Sequence, residues 1–362
     1  MNGKTLLNFI KGELYVKLKK VLVSLISFIL LVGLFAGCVS QNSGTNSNQA
    51  GENKESKNGK LKIAVVPKLV GIPYFNAAEK GAVQAGKDLG VDVIYTGPTE
   101  ADAAQQVKVI EDLISQKVDV IAVAPNDPAA LTPVLKKAKE QGIKVMDWDT
   151  PADQSVVELS VHQIDDDAYG RHIAKTLVEK MGTDKGEIAI LTGGLSAANL
   201  NAWIDAAKKE LQENYPNIKL VTDKIATDEK QQVAYQKTLD LIKSYPNLKG
   251  IMAFSTPAPL GAAQAIQEKG LQDKIAVVGT ALPKDSKPFL EDGSLDVAIL
   301  WEPNKLGYLT VALAKDLAEG KTPKNGQNVE NVGTIEVRED GKTVIMGPPT
   351  DFTAENAGNY DF

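Results

Sequence analysis

Lys68, Asp149 and Trp301 stand far apart in the chain, yet each closes a short run of branched apolar residues: "LKIAVVPK", "IKVMDWD" and "LDVAILW". A lysine ammonium brings three donors and a charge. A carboxylate accepts charge-assisted hydrogen bonds of about 1.5–3 kcal/mol each. The adjacent rings Tyr74 and Phe75 follow Lys68, and an aromatic face packs on the C–H face of a polyol ring while leaving hydroxyls free at the rim. The pair also fits a helix entrance, so one ring is expected in the core and one at the site. Alternation along a strand sends Asp147 and Asp149 to one side and Trp148 to the other. Asp149 is nearer the end and is expected to project; its other use is as a solvated acid or a cap.

A second set of polar side chains occupies later strand ends. "TGGLSAANLNAW" leads through glycines into a helix and places Asn199 and Asn201 near its first turns; amides donate and accept, which suits hydroxyl or carbonyl ligands. A glycine-rich helix start can also cradle phosphate, but neither phosphate-loop nor dinucleotide spacing is present. "AFSTPAPLG" offers Phe254, Ser255 and Thr256, and "VVGTALP" offers Thr280. Catalytic constellations are poorly represented. The two histidines, His162 and His172, belong to no nucleophile elbow or zinc motif. Asp165, Asp166 and Asp167 lack the spacing and terminal glutamate of a calcium loop, and fit a helix N-terminus better. Asp127, before Pro128, is as suited to capping as to binding. No cofactor and no metal is expected.

These groups need a scaffold that brings strand ends together. Apolar runs alternate with amphipathic stretches at 76–89, 102–116, 129–141, 166–181, 197–214, 229–244 and 259–269, the rhythm of right-handed βαβ units around a parallel sheet. The series occurs twice, which predicts two α/β lobes, each a parallel sheet flanked by helices, with strand ends facing one cleft. A further helix lies within 300–321, and the tail from "GTIEVRED" to "TVIMG" reads as a β-ribbon turning at Asp340-Gly341.

The N-terminal region has another logic. Lys17, Lys19 and Lys20 precede an apolar run of about 15 residues, the order of an export signal and short of the roughly 20 needed for a stable span. Residues 1–15 are mixed in polarity, and the signal reads completely from about Val16, which makes that position a second candidate start. The one cysteine, Cys38, ends "LFAGC" and is followed by a polar tract to residue 60 that cannot bury enough apolar surface to order itself. Cys38 is expected to carry a lipid, each buried methylene contributing about 0.8 kcal/mol of anchoring; the alternative is a free thiol at the end of an uncleaved helix. A net charge of −6 disfavours nucleic acid, whose phosphates want a basic face.

Taken together, "PKLVGIPYF", "KGAVQAGKDLGVDVIYTGPTEAD", "VMDWDT", "LNAWIDAAK", "ILWEP" and the final "NYDF" resemble the periplasmic sugar-binding proteins of ABC importers, the pentose-type class with its rhamnose and autoinducer-2 branch. "LFAGC" resembles the lipobox of prokaryotic lipoproteins. The resemblance implies a two-lobed periplasmic-binding-protein type I fold with a three-crossover hinge near His162, Trp301 and Val329. It implies a signal over residues 1–37 and a tether over 38–60. The first lobe would comprise 61–162 with 302–328, and the second 163–301 with 329–362. It further implies an extracytoplasmic, lipid-anchored monomer that captures a rhamnose-like sugar or pentose for a permease and is not an enzyme. Autoinducer-2 reception is the alternative within the class, and an exported sugar-processing enzyme the alternative outside it. Lys68 and Asp149 match polar contacts of the autoinducer-2 receptors. Asn199 and Leu200 stand where those receptors carry an Asp-Gln pair, and Phe254 and Thr256 where they carry Pro-x-Ala, which favours a neutral sugar.

Overall fold

The computed structural model describes residues 59–362; the expected export signal, Cys38 and all but the end of the expected tether lie outside them. The first five strands are β1 (Lys62–Val66), β2 (Asp92–Tyr95), β3 (Val120–Val123), β4 (Lys144–Trp148) and β5 (Leu159–His162). Helices α1 (Pro73–Leu89), α2 (Ala103–Ser115) and α3 (Pro128–Glu140) alternate with the first four. All neighbouring pairs among β1 to β5 are parallel. β3 is buried along its whole length, as a strand covered by helices on both faces must be. Sequence signals set the helix ends. Pro73 opens α1 where its missing N–H costs nothing, and Gly90 closes it with φ 69, a left-handed cap disfavoured for side chains bearing a Cβ. Asp102 and Asp127 cap α2 and α3 by accepting from the Gln105 and Ala130 backbone N–H groups.

The second series begins with α4 (Asp166–Met181), β6 (Lys185–Thr192), α5 (Ala198–Asn214), β7 (Asn217–Leu220) and β8 (Ile225–Ala226). It continues through α6 (Gln231–Ser244), β9 (Leu248–Ala253), α7 (Pro257–Lys269), β10 (Ala276–Gly279), α8 (Pro283–Glu291) and β11 (Val297–Leu300). After β11 the chain returns to the first lobe. Helix α9 (Pro303–Ala318) lies so tightly on α1 that a Cβ at Gly307 would sit 2.0 Å from the Ala78 carbonyl oxygen, and one at Gly81 would sit 1.8 Å from that of Asn304.

Five short strands follow, β12 (Asn328–Val329), β13 (Gly333–Thr334), β14 (Glu336–Val337), β15 (Thr343–Ile345) and β16 (Thr350–Phe352), before a last 3-10 turn at Ala357–Asn359. The two main sheets have the orders β14-β15-β5-β4-β3-β1-β2 and β16-β11-β10-β9-β6-β7, with β8 beside β6. The ribbon at Asp340-Gly341 forms as β14 and β15, paired antiparallel. Its place differs from the expected one. β15 runs parallel to β5 with Ile345 opposite His162, so the ribbon extends the first sheet and the third crossing falls at 346–349 rather than near Val329. A ribbon's residue pattern specifies pairing and a turn; which free sheet edge receives it depends on tertiary position.

Candidate functional site

Lys68 and Asp149 reach the cleft by different local devices. Lys68 lies beyond the end of β1 and is held by the Asn126 amide donating to its carbonyl oxygen at 2.7 Å. Gln106, fully buried, donates to the carbonyl oxygens of Pro67 and Ala124 and accepts from the Asn126 N–H, tying the ends of β1 and β3 together. Asp149 does not continue the alternation of β4. Its φ is 61, a left-handed conformation that aspartate tolerates better than most residues, and this turn redirects it into the cleft. Asp147, expected on the same side, is instead enclosed within the first lobe and accepts from Ser160, Gln154 and the Ala152 N–H. Burial pushes the Asp147 carboxyl up to about 6, although the Ser160 hydrogen bond and the nearby His162 oppose the rise.

The ends of both sheets meet around a cavity of about 30 Å³, the room of two or so water molecules. Lys68 Nζ lies 3.6 Å from Asp149 Oδ2 and donates to Asn199 Oδ1 at 2.9 Å, a hydrogen bond from one lobe to the other. Tyr74 donates to Asp149 Oδ1 at 2.6 Å and accepts from the Trp301 indole N–H at 3.1 Å. Burial raises the Tyr74 hydroxyl pKa well above its ordinary value, and the neighbouring Asp149 carboxylate raises it further, so the group stays a donor. Lys68 and Asp149 are each 4% exposed. An ion pair removed from water so completely needs close partners to offset its desolvation, and those partners come from both lobes.

Aromatic rings form the apolar wall. Trp301 stands edge-on to Tyr74, Tyr169 and Trp203 at centroid distances of 6.1, 5.7 and 5.8 Å. Tyr169 fixes this group by donating to the Ile299 carbonyl, while its hydroxyl shares a hydrogen bond with Thr280 at 2.8 Å. Both Tyr74 and Phe75 line the cavity, so the pair is not divided between core and cleft. Phe75 also stands edge-on to Trp148, at 5.9 Å.

Lys68, Asp149, Asn199, Ser255, Thr256, Thr280 and Trp301 surround the cavity with these two rings. Two expected residues do not. Phe254 is fully buried and belongs to the hydrophobic core, because the strand pleat turns it inward just before Ser255 takes a φ of 92. Asn201 bends back to donate to the Leu195 carbonyl and accepts from Lys224. One helical step of 100° separates neighbouring residues, so Asn199 and Asn201 cannot share a face. That geometry also locates a residue the sequence reading overlooked: Trp203, four residues after Asn199, shares its face and lines the cavity, as do Ile72, Leu200 and Glu229. Glu229, expected as the first residue of the helix at 229–244, lies instead in the turn after β8, and no spacing rule marks it as a cavity residue. Asp165 accepts from the Ala168 N–H and caps α4, the role read for the acidic triplet.

The profile of the periplasmic binding protein domain matches residues 63–322. The chain belongs to this family. Among curated relatives, this periplasmic binding protein is 28% identical to the D-allose-binding periplasmic protein of Escherichia coli, over 70% of this chain and 83% of that one. It is 27% identical to a ribose import binding protein of Bacillus subtilis, over 69% and 79% respectively. Among solved structures, one from Clostridium phytofermentas with bound L-rhamnose is 29% identical with a TM-score of 0.77, covering 83% of this chain and 98% of that one. LsrB from Clostridium saccharobutylicum in complex with AI-2 is 26% identical with a TM-score of 0.78, over 83% of this chain and all of the other.

Proposed function

We propose that this periplasmic binding protein is an extracytoplasmic lipoprotein, anchored through Cys38, that captures a rhamnose-like sugar or pentose as a monomer and delivers it to an ABC permease. One observation carries the reading: Lys68 and Asp149 from the first lobe meet Asn199 and Trp301 around a single enclosed cavity. An ammonium, a carboxylate, an amide and several hydroxyls suit the alternating donors and acceptors of a polyol, and the rings suit its C–H face. The relatives named for allose and ribose, and the neighbour solved with L-rhamnose, support the same ligand class.

The mechanism follows from the dimensions. A cavity of about 30 Å³ admits a monosaccharide only when the lobes separate and the hydrogen bonds from Lys68 to Asn199 and from Trp301 to Tyr74 give way. The sugar then replaces these partners as the lobes close over it. It favours closure by as much as its affinity for the closed form exceeds that for the open form. The site residues bind and enclose; none is assigned a reaction.

Mass spectrometry of ligand released from freshly purified protein, followed by calorimetry with L-rhamnose, D-ribose and autoinducer-2, tests this reading. Recovery of an unchanged monosaccharide is the expected result. Selective binding of autoinducer-2 would move the assignment to the second ligand of the class, and chemical conversion of the sugar would make the chain an enzyme. Metabolic labelling with a fatty acid, lost in Cys38→Ser, tests the anchor.

A further inference from the structure

Glu229 lies in the turn between β8 and α6, where Asp228 and Glu229 both hold left-handed backbone, with φ of 52 and 56. Non-glycine residues persist there only when their surroundings impose it. The outcome is a carboxyl-bearing residue 8% exposed that lines the central cavity with Lys68 and Asp149. Glu229 and Lys68 also line an adjoining groove of about 300 Å³, so the two side chains stand between the cavity and that groove. The other flank of Glu229 is reserved for it: a Cβ on Gly193 would lie 2.0 Å from Glu229 Oε1. Burial raises the carboxyl pKa above its ordinary value, with Asp149 adding to the rise and Lys68 opposing it.

We propose that Glu229 is a ligand-contacting residue of the second lobe, its carboxyl bonding a hydroxyl of the enclosed sugar from the side opposite Asp149. This rests on the sugar-binding reading of the same cavity. Three groups then fix the hydroxyl pattern: Asp149 from the first lobe, Glu229 from the second, and Lys68 near both. Lys68, the Ser255 hydroxyl and the Gly194 N–H offset part of the desolvation of Glu229, and a sugar without the facing hydroxyl forfeits the remainder, so Glu229 also contributes to discrimination among sugars. An anionic ligand would face two carboxyls across one ammonium, which restricts the class to neutral polyols.

The test uses the full chain and calorimetry with L-rhamnose, D-ribose and D-arabinose, then takes the tightest-binding sugar to variants. Glu229→Ala is expected to weaken binding at least about tenfold, the scale of one charge-assisted hydrogen bond. Glu229→Gln, which keeps an acceptor of the same shape, is expected to lose less. Gly193→Ala displaces the Glu229 carboxyl without altering it, and is expected to weaken binding while the melting temperature stays close to that of the unaltered protein. If Glu229→Ala does not fold, Glu229→Gln and Gly193→Ala decide the matter. Native affinity in Glu229→Ala and Gly193→Ala, beside a loss in Asp149→Asn, would overturn the role of Glu229 and leave the sugar reading intact. An unaltered protein that binds none of the three sugars would overturn both.

Discussion

Asp149→Asn isolates the charge that the cleft is built around. Asparagine tolerates the left-handed backbone at φ 61 as aspartate does, so the substitution leaves the turn after β4 in place. It removes the countercharge 3.6 Å from Lys68 and turns charged acceptors into neutral ones. A hydrogen bond to a charged group contributes about 1.5–3 kcal/mol and a neutral one about 0.5–1.5, so each ligand hydroxyl bound at Asp149 loses about 1 kcal/mol. With two such hydroxyls and the unbalanced Lys68 ammonium, the loss is about 2–3 kcal/mol, roughly thirty- to 150-fold in Kd. Calorimetry with the sugar recovered from purified protein gives the affinity, and a thermal melt confirms folding. Affinity within about twofold of the unaltered protein, with the melt unchanged, would refute the assignment of Asp149 to the ligand, because no charge-assisted bond is that weak.

Three further outcomes follow from other parts of the molecule. Trp301→Ala removes the donor to Tyr74 and the ring at the centre of the aromatic wall; binding should weaken at least about tenfold by calorimetry, with a smaller loss in Trp301→Phe. Gly307→Ala forces a methyl group to within 2.0 Å of the Ala78 carbonyl oxygen, and urea unfolding should show a loss of about 1–3 kcal/mol. Asp147 makes its own contribution to the pH dependence of stability. Its carboxyl titrates near 6 when folded, above the unfolded value of 3.8; the folded state therefore binds more protons between these values, and this contribution to stability falls as pH rises from about 4 through about 6. Urea melts at pH 4.5 and 7 should show that component in the parent and not in Asp147→Asn.

Much of the scaffold was legible because burial writes itself into periodicity. Runs such as "IAVV" and "VIAV" are apolar at every position because helices cover both faces of the sheet, and Gly90 marked a helix end by its left-handed cap. Lys68, Asp149 and Trp301 could be picked out because parallel strands expose their carboxyl ends where ligands bind. Asp149 was chosen for the right place by an incomplete argument: alternation would have taken Asp147 with it, and the positive φ that separates them is a property of the folded turn. Phe254 and Asn201 failed for a related reason, since orientation within one residue of a strand end or along one helical turn is fixed by local backbone and neighbouring contacts.

The chain's own order of residues determined two α/β series, their helix ends and the group of polar and aromatic side chains carried at strand ends, since these depend on contacts short in sequence and on which face meets water. Tertiary structure alone decided that the ribbon at 336–345 joins the first sheet, that Lys68 bonds Asn199 across the lobes, and that Glu229 reaches the cavity through the space left by Gly193. Such contacts join residues distant along the chain, and their partners are selected by how the lobes pack, which no local pattern encodes.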